Sequence, residues 1–544
     1  MVKFKRGHLY YPEIPIHKIL DDTAERFPER PAFFYPEKLT FTQFKNQVDI
    51  FATALRNLGI KKGDRVALYG PNSIQWEISF YGLEKAGAIL VPMNPLFKET
   101  EVKYEAEDSG TETIIVSQPL YNIVNAVNKI TNFKNIIIIE SEEKKDIPNG
   151  TIGWSQLINN TKSNPPNYNF NTKEDLAALV YTSGTTGLPK GTMLTHYNMV
   201  SNVIQICQLF ELSEIDVAMT VLPLYHIYGL NVCMNQAIWL GAAQVVTPRF
   251  DVKEFCELIE KYQVTYSLCV PPIFLAVVRH LEDPNIKGYD WSNLKIFNNG
   301  AAPIPLELLE RFDKLAKEKC NAKEVSIQHG WGLTEASPVV AVNPMYRRKM
   351  ESQGTLIPDT FHKIIDLETN KEIPERRKVG ELVIKGPQVM KGYWKRPEAT
   401  KDAFWTDPNT GEKWLRTGDM AYIDEDEYEH LLDRIKEMIK YKGWSIAPAE
   451  LEDLLFKNPH IFDAAVIGKP SKELDVGEIP KAFIILKKES KGKVNEQEIM
   501  DWVAERISAY KKIREVEFVD SIPKSGSGKI LRRELVEKER SKLD

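Results

Sequence analysis

The sequence predicts an α/β protein, with a large, multi-subdomain N-terminal domain of layered sheets and helices over residues 1–432 and a small α+β C-terminal domain over residues 433–544. Three observations predict it. Helix-period and strand-period segments alternate through the first half, as in layered folds with parallel strand pairing. A chain of 544 residues exceeds what one hydrophobic core serves. The residue pattern also changes near residue 430, where a run of apparent strands gives way to a module of about 110 residues, an ordinary domain size.

Each element follows from its pattern. In "FTQFKNQVDIFATALRNLG", Phe44, Val48, Phe51, Leu55 and Leu58 fall at helical spacing, and Gly59 supplies the stop. "RVALYG" reads as a short strand, "SIQWEISFYGLEKAG" as a second helix and "AILVPMNP" as the next strand. Residues 159–175, "NNTKSNPPNYNFNTKED", are polar and rich in Asn and Pro, so they form a surface connection. The apolar run "LAALVYT" follows. Further on, "GELVIKGPQVMKGYW" and "AYIDEDEYEHLL" are strand-like. In the last module "DAAVIGKP" and "KAFIILKK" are strands, and "EQEIMDWVAERISAY" is a helix with Ile499, Trp502, Val503 and Ile507 on one face.

Composition narrows the function classes. The chain is 43% hydrophobic and 27% charged, as expected for a soluble globular protein. A net charge of -5 gives no electrostatic basis for binding nucleic acid or an anionic membrane. Five cysteines, Cys207, Cys233, Cys256, Cys269 and Cys320, stand singly without CxxC spacing, which reads as a reducing compartment. The basic start "MVKFKRGHLYYPEIPIHK" develops no signal-peptide apolar stretch, and no apolar run approaches the ~18 residues of a membrane span. A cytoplasmic protein is expected, with at most weak peripheral membrane contact, as a monomer or homodimer.

Chemistry concentrates first in "YTSGTTGLPKG", residues 181–191. A loop after a buried strand exposes backbone N–H groups, and glycines let that backbone approach a ligand closely. Thr182, Ser183, Thr185 and Thr186 add hydroxyls, and Lys190 adds a positive charge. The set suits a polyphosphate. A flexible Ser/Gly linker is the plainer reading, but this loop follows its apolar run at once and carries Pro189. It lacks Walker A spacing. The C-terminal "PKSGSGKIL" imitates that motif with Pro523 and Ile530 in place of its first glycine and terminal hydroxyl, so a P-loop kinase or ATPase is disfavoured.

"YTSGTTGLPKG" resembles the signature loop of the adenylate-forming superfamily, which holds acyl-CoA synthetases, luciferases and peptide-synthetase adenylation domains. The resemblance extends through "PLYHIYG" (223–229), "NNGAAPIP" (298–305), "HGWGLTE" (329–335), "RTGD" (416–419), "DRIKEMIKYKGWSIAPAELE" (433–452) and "PKSGSGKILRREL" (523–535), in the superfamily's order. It implies an ATP-dependent carboxylic acid–CoA ligase that forms acyl-AMP with release of pyrophosphate and then transfers the acyl group to CoA.

The resemblance also implies roles. Thr182, Ser183, Gly184, Thr185, Thr186, Gly187 and Lys190 would surround the phosphates, with Thr182 and Glu335 as oxygen ligands of Mg²⁺. Gly300, Ala301, Ala302, Gly332 and Thr334 would line the nucleotide, with Trp331 stacking on adenine. His329 replaces the Gln found in many members and would alter a contact near the substrate carboxylate. Asp419 would accept hydrogen bonds from the ribose hydroxyls, and Arg434 would reach the ribose or α-phosphate. Lys529 would neutralise charge developing between carboxylate and α-phosphate. Lys436 takes the hinge position, making the C-terminal domain mobile. After rotation that domain would present Lys440 and the turn bearing Gly443 and Trp444 to the thiol step, with Gly443 lining the pantetheine channel. His226 would gate the acyl pocket.

The stretch "PLYHIYGLNVCMNQAIWLGAAQVV" is apolar and aromatic, without the Asp that typically binds an amino acid's α-amine. A medium- to long-chain fatty acid is therefore the expected substrate. An aryl acid of the coumarate type is the alternative, and a non-catalytic acyl-adenylate-binding relative is the reading from another class. The last would be expected to have lost one of Thr182, Glu335, Asp419, Arg434, Lys440 and Lys529, and all are present.

Overall fold

The computed structural model describes residues 8–141, 146–182, 188–300, 304, 306–323, 325–344, 349, 351–442, 444–471, 476–525 and 529–542. The alternating first half becomes two sheets. Among the described residues, one has eight strands in the order 392–393, 190–195, 176–182, 89–93, 65–69, 113–117, 135–139 and 152–153. The other has six, in the order 296–299, 266–269, 217–220, 243–246, 31–35 and 39–40. Most neighbours are parallel, as the alternation predicts. The phosphate-loop candidate is an exception. Strand Leu176–Thr182 returns antiparallel as Lys190–Thr195, with Thr182 opposite Lys190.

Helix Phe41–Asn57 starts where Thr40 accepts a hydrogen bond from Gln43 N and Gln43 Oε1 accepts from Thr40 N. This reciprocal cap is worth about 1 kcal/mol. Its apolar stripe (Phe44, Val48, Phe51, Leu55) meets Trp76, Phe80 and Tyr81 of helix Ile74–Lys85 in a core shared by both sheets. Inside that core Lys85 pairs with both Asp21 and Asp49. Removing one member of such a buried set costs about 3–5 kcal/mol by stranding the rest. No helix among the described residues is long and apolar enough to cross a membrane.

A further antiparallel sheet contains strands Gly380–Lys385, Lys413–Ile423 and Glu429–Arg434. "AYIDEDEYEHLL" is therefore a hairpin rather than one strand. Its pairing runs to Arg434, two residues beyond the expected boundary at 432, and Lys436 lies just past the end of the strand.

The last module is a sheet of Ile461–Pro470, Glu478–Leu486 and Glu515–Phe518 with helices Pro448–Phe456, Glu496–Ala504 and Arg532–Arg540. Leu451, Leu455, Val466, Ile484, Ile499 and Val503 form its core. The expected helical face ends early. Helix Glu496–Ala504 stops before Ile507, because the Arg506 guanidinium donates to the Trp502 carbonyl at 2.8 Å and satisfies a carbonyl of the last turn. Ile507 still packs on the same core from outside the helix.

Candidate active site

The hairpin register places Asp419 opposite Arg434, and Arg434 Nε lies 2.7 Å from Asp419 Oδ1. Arg434 Nη1 also donates to the Thr417 carbonyl at 2.9 Å, which fixes the guanidinium. The other carboxylate oxygen, Asp419 Oδ2, is buried without a hydrogen-bond partner among the described residues. Burial pushes the Asp419 carboxyl up to about 6, although Arg434 and Lys529 oppose the rise. A buried acceptor with one open oxygen is a seat for hydroxyl donors.

Lys529 arrives from the C-terminal module in a tight loop. Its N–H donates to Ser525 Oγ at 3.1 Å, and Ser525 N–H donates to the Lys529 carbonyl at 2.8 Å. Surrounding protein lowers the ammonium pKa, and Arg434 adds to that, while Glu437 and Asp419 resist it. Its side chain still meets solvent. The same charge reaches His226. Burial, reinforced by Lys529, holds that imidazole down to about 4, so it is neutral at physiological pH. His226 Nδ1 accepts from Tyr228 N–H at 3.2 Å, which leaves the proton of the neutral ring on Nε2.

Directly after His226 the chain forms a π-helical segment, Tyr228–Asn235, of the kind often found at functional sites. Gly229 permits it, since a Cβ there would lie 2.1 Å from the Pro223 carbonyl oxygen. Tyr228 reaches across to Gly300, where a Cβ would lie 2.7 Å from the phenol oxygen. Gly300 follows strand Ile296–Asn299, and Asn299 bridges in parallel to His329. Asn299 Nδ2 donates to His329 Nδ1 at 2.9 Å, and burial holds His329 down to about 4. A second neutral, oriented imidazole thus flanks the short strand Gly330–Gly332 that carries Trp331.

Thr334 and Glu335 lie in a single turn, Thr334–Ala336. Glu335 is held at both ends. Its carbonyl accepts from Met390 N at 2.8 Å, and its Oε1 accepts from the Tyr393 phenol at 2.8 Å. Lys190 Nζ lies 5.0 Å from the centre of the Tyr393 ring. Thr182 ends the strand opposite Lys190.

The structure thus pairs Asp419 with Arg434, lets the charge of Lys529 act on both and on His226, and links Lys190 to Glu335 through Tyr393. Ser183, Gly184, Thr185, Thr186, Gly187, Ala301, Ala302 and Gly443 lie outside the described residues. Lys440 and Trp444 are exposed on the small module, where Trp444 stacks on Tyr510 with centroids 4.8 Å apart. Sequence reasoning missed three residues. Tyr393 read as an ordinary strand residue of "KGYW". Asn299 has no signal apart from its place beside "GAAP". Arg279, whose guanidinium sits 3.8 Å above the Phe462 ring of the C-terminal module, had none.

Residues 20–394 match the family model for AMP-binding enzymes, and residues 450–529 match that for the AMP-binding enzyme C-terminal domain. The chain is 38% identical to a 4-coumarate:CoA ligase of Petunia hybrida over 98% of its own length and 95% of the relative's. It is similar to the solved long-chain-fatty-acid-CoA ligase FadD1 of Archaeoglobus fulgidus, with 35% identity and a TM-score of 0.74 over 95% of this chain and 99% of that one. It is also similar to the anthranilate CoA ligase AuaEII solved with anthranoyl-AMP, with 25% identity and a TM-score of 0.83 over 98% of both chains.

Proposed function

The chain belongs to the AMP-binding enzymes and is an adenylate-forming acid–CoA ligase, and from that premise we propose that it activates a medium- to long-chain fatty acid through two poses of its C-terminal domain. What supports this reading is the charge of Lys529, carried by the small module, acting on Asp419, Arg434 and His226 of the candidate site, where a cation would offset charge between a carboxylate and the α-phosphate.

In the first step Asp419 accepts the ribose hydroxyls with its open oxygen, and Trp331 stacks on adenine. Arg434 is already committed to Asp419 and Thr417, so it orients that carboxylate while reaching the ribose or α-phosphate. Lys190 and the Thr182 end of the loop hold the β- and γ-phosphates. Lys529 offsets the charge that gathers as the carboxylate oxygen attacks phosphorus. In a water-poor site one such group contributes about 10²–10³ in rate. His226 cannot add a charge of its own, and its Nε2 proton is available to a substrate oxygen.

Thr182 and Glu335 supply hard oxygen donors, and Tyr393 engages only one Glu335 oxygen. They fit Mg²⁺, which takes a few protein oxygens and keeps water and phosphate for the rest. Bound there, the cation neutralises the phosphates. Rotation about Lys436 then withdraws Lys529 and brings Lys440, Gly443 and Trp444 to the acyl-AMP for attack by the CoA thiol.

For the acid itself, the stretch holding Tyr225, His226, Tyr228, Leu230 and Met234 is apolar and aromatic, with Leu230 and Met234 packed in the core behind it. The kinship with a coumarate ligase favours a second reading, an aryl acid, since the Tyr228 ring against Gly300 is also a surface on which a flat ring packs. Carboxylate-dependent pyrophosphate release, measured with and without CoA on acids from acetate to palmitate plus coumarate and benzoate, tests both. A maximum among aliphatic acids supports the proposal, and a maximum at coumarate replaces it with the aryl reading.

A further inference from the structure

We propose that Tyr393 is a positioning residue for Glu335, aiming its carboxylate at the divalent cation and keeping it apart from Lys190; the inference rests on the ligase reading above. Three observations carry it. The phenol donates to Glu335 Oε1 at 2.8 Å, which leaves Oε2 available as a ligand. Lys190 Nζ stands 5.0 Å from the centre of the same ring, so one side chain contacts both the ammonium and the carboxylate. Lys190 and Glu335 form no ion pair among the described residues. Paired, the two would each neutralise the charge that the other needs for phosphate or metal, and the Tyr393 contacts engage each of them separately.

Tyr393 itself is rigidly placed. Strand Gly392–Tyr393 pairs with strand Lys190–Thr195, with Tyr393 opposite Thr192, and Tyr393 N–H donates to Thr400 Oγ1 at 2.9 Å. The same stretch holds the Glu335 backbone through Met390 N–H. One short segment therefore fixes the main chain and the side chain of Glu335 and also touches Lys190. Groups that orient a metal ligand from behind commonly tune affinity about 10–100-fold.

The test is Tyr393→Phe, which keeps the ring over Lys190 and removes only the hydrogen bond. Mn²⁺ binding to the full-length enzyme in the presence of ATP, read by electron paramagnetic resonance, should weaken about tenfold. The Mg²⁺ concentration for half-maximal pyrophosphate release should rise in parallel. Thermal melting and thioester formation from supplied acyl-AMP should hold at wild-type values. Adding Glu335→Gln to Tyr393→Phe should cost little beyond Glu335→Gln alone, because both changes break one link. Unchanged Mn²⁺ affinity in Tyr393→Phe overturns the assignment while wild-type pyrophosphate release still supports the ligase. Absence of ATP-dependent Mn²⁺ binding in the wild type overturns the metal-site reading and this inference together.

Discussion

The two sides of the candidate site are built on opposite physical plans. On the large domain, groups are preset by burial and hydrogen bonds. His226 and His329 are kept neutral, Asp419 is gripped by Arg434, and Glu335 is held at both ends. On the small domain, Lys529 is presented from a loop, remains in contact with solvent, and among the described residues acts on Asp419 and Arg434 through its charge. The first plan serves recognition, which needs fixed geometry. On the proposed two-pose mechanism the second suits a group that has to leave, since a deeply hydrogen-bonded lysine would hold the small domain in one pose. Breaking each side should therefore give different kinetic signatures.

The largest expected effect comes from Lys529→Ala. Adenylation should slow by about 10²–10³, whereas thioester formation from supplied acyl-AMP should survive. An equal fall in both half-reactions would remove the support for two poses. Next comes Lys436→Pro, which fixes φ just past the last strand of the large domain. It should damage one half-reaction and spare the other, measured as burst pyrophosphate release against thiol-dependent AMP release. Unchanged turnover would place the hinge elsewhere.

A smaller effect distinguishes the large-domain side by pH. The Asp419 carboxyl is raised to about 6, so its proton is retained to higher pH than in an ordinary aspartate. In the proposed role of Asp419, protonation removes the acceptor for the ribose hydroxyls. The kcat/KM for ATP should thus be full above about 6 and fall with decreasing pH through that value, up to tenfold per unit. Asp419→Asn should lower the plateau and abolish the limb. His226, held near about 4, titrates below this limb and should not contribute to it.

The same contrast explains what was legible in the sequence. Elements with a strong period came out as read. The helix over Phe41–Asn57 and the strands Arg65–Tyr69 and Ile89–Met93 declare themselves through spacing and bounding turns. The helix face ending at Ile507 failed because a side-chain cap by Arg506 stops the helix, and hydrophobic spacing carries no record of a cap. At the site, the motifs pointed to Asp419, Arg434, Lys529 and Glu335 because each sits in a dense local pattern. Tyr393 and Asn299 were invisible for a different reason. Their partners, Glu335 and His329, lie 58 and 30 positions away in the chain, and only the folded chain brings them together. The π-helical turn at Tyr228–Asn235 was equally silent, since its signal is a glycine that clears a carbonyl, and glycine has many uses.

The smallest expected effect probes how the two sides are held together. Helix Pro271–Glu282 of the large domain carries Arg279, and Phe462 sits on strand Ile461–Pro470 of the small one. The guanidinium lies 3.8 Å above that ring, a cation–π contact across the domain boundary in the pose that presents Lys529. Such contacts at exposed sites are worth about 0.5–1 kcal/mol. Losing it should shift the balance between poses by about two- to fivefold, because the contact stabilises only the pose in which it forms. Arg279→Ala should therefore slow adenylation by no more than that factor and leave thioester formation from supplied acyl-AMP unchanged or slightly faster. Arg279→Lys, which keeps a charge but not the planar face, should fall between the two. An effect of tenfold or more on adenylation would mean that Arg279 touches the chemistry instead, and equal slowing of both half-reactions would show that it supports the fold of its own helix rather than the pose.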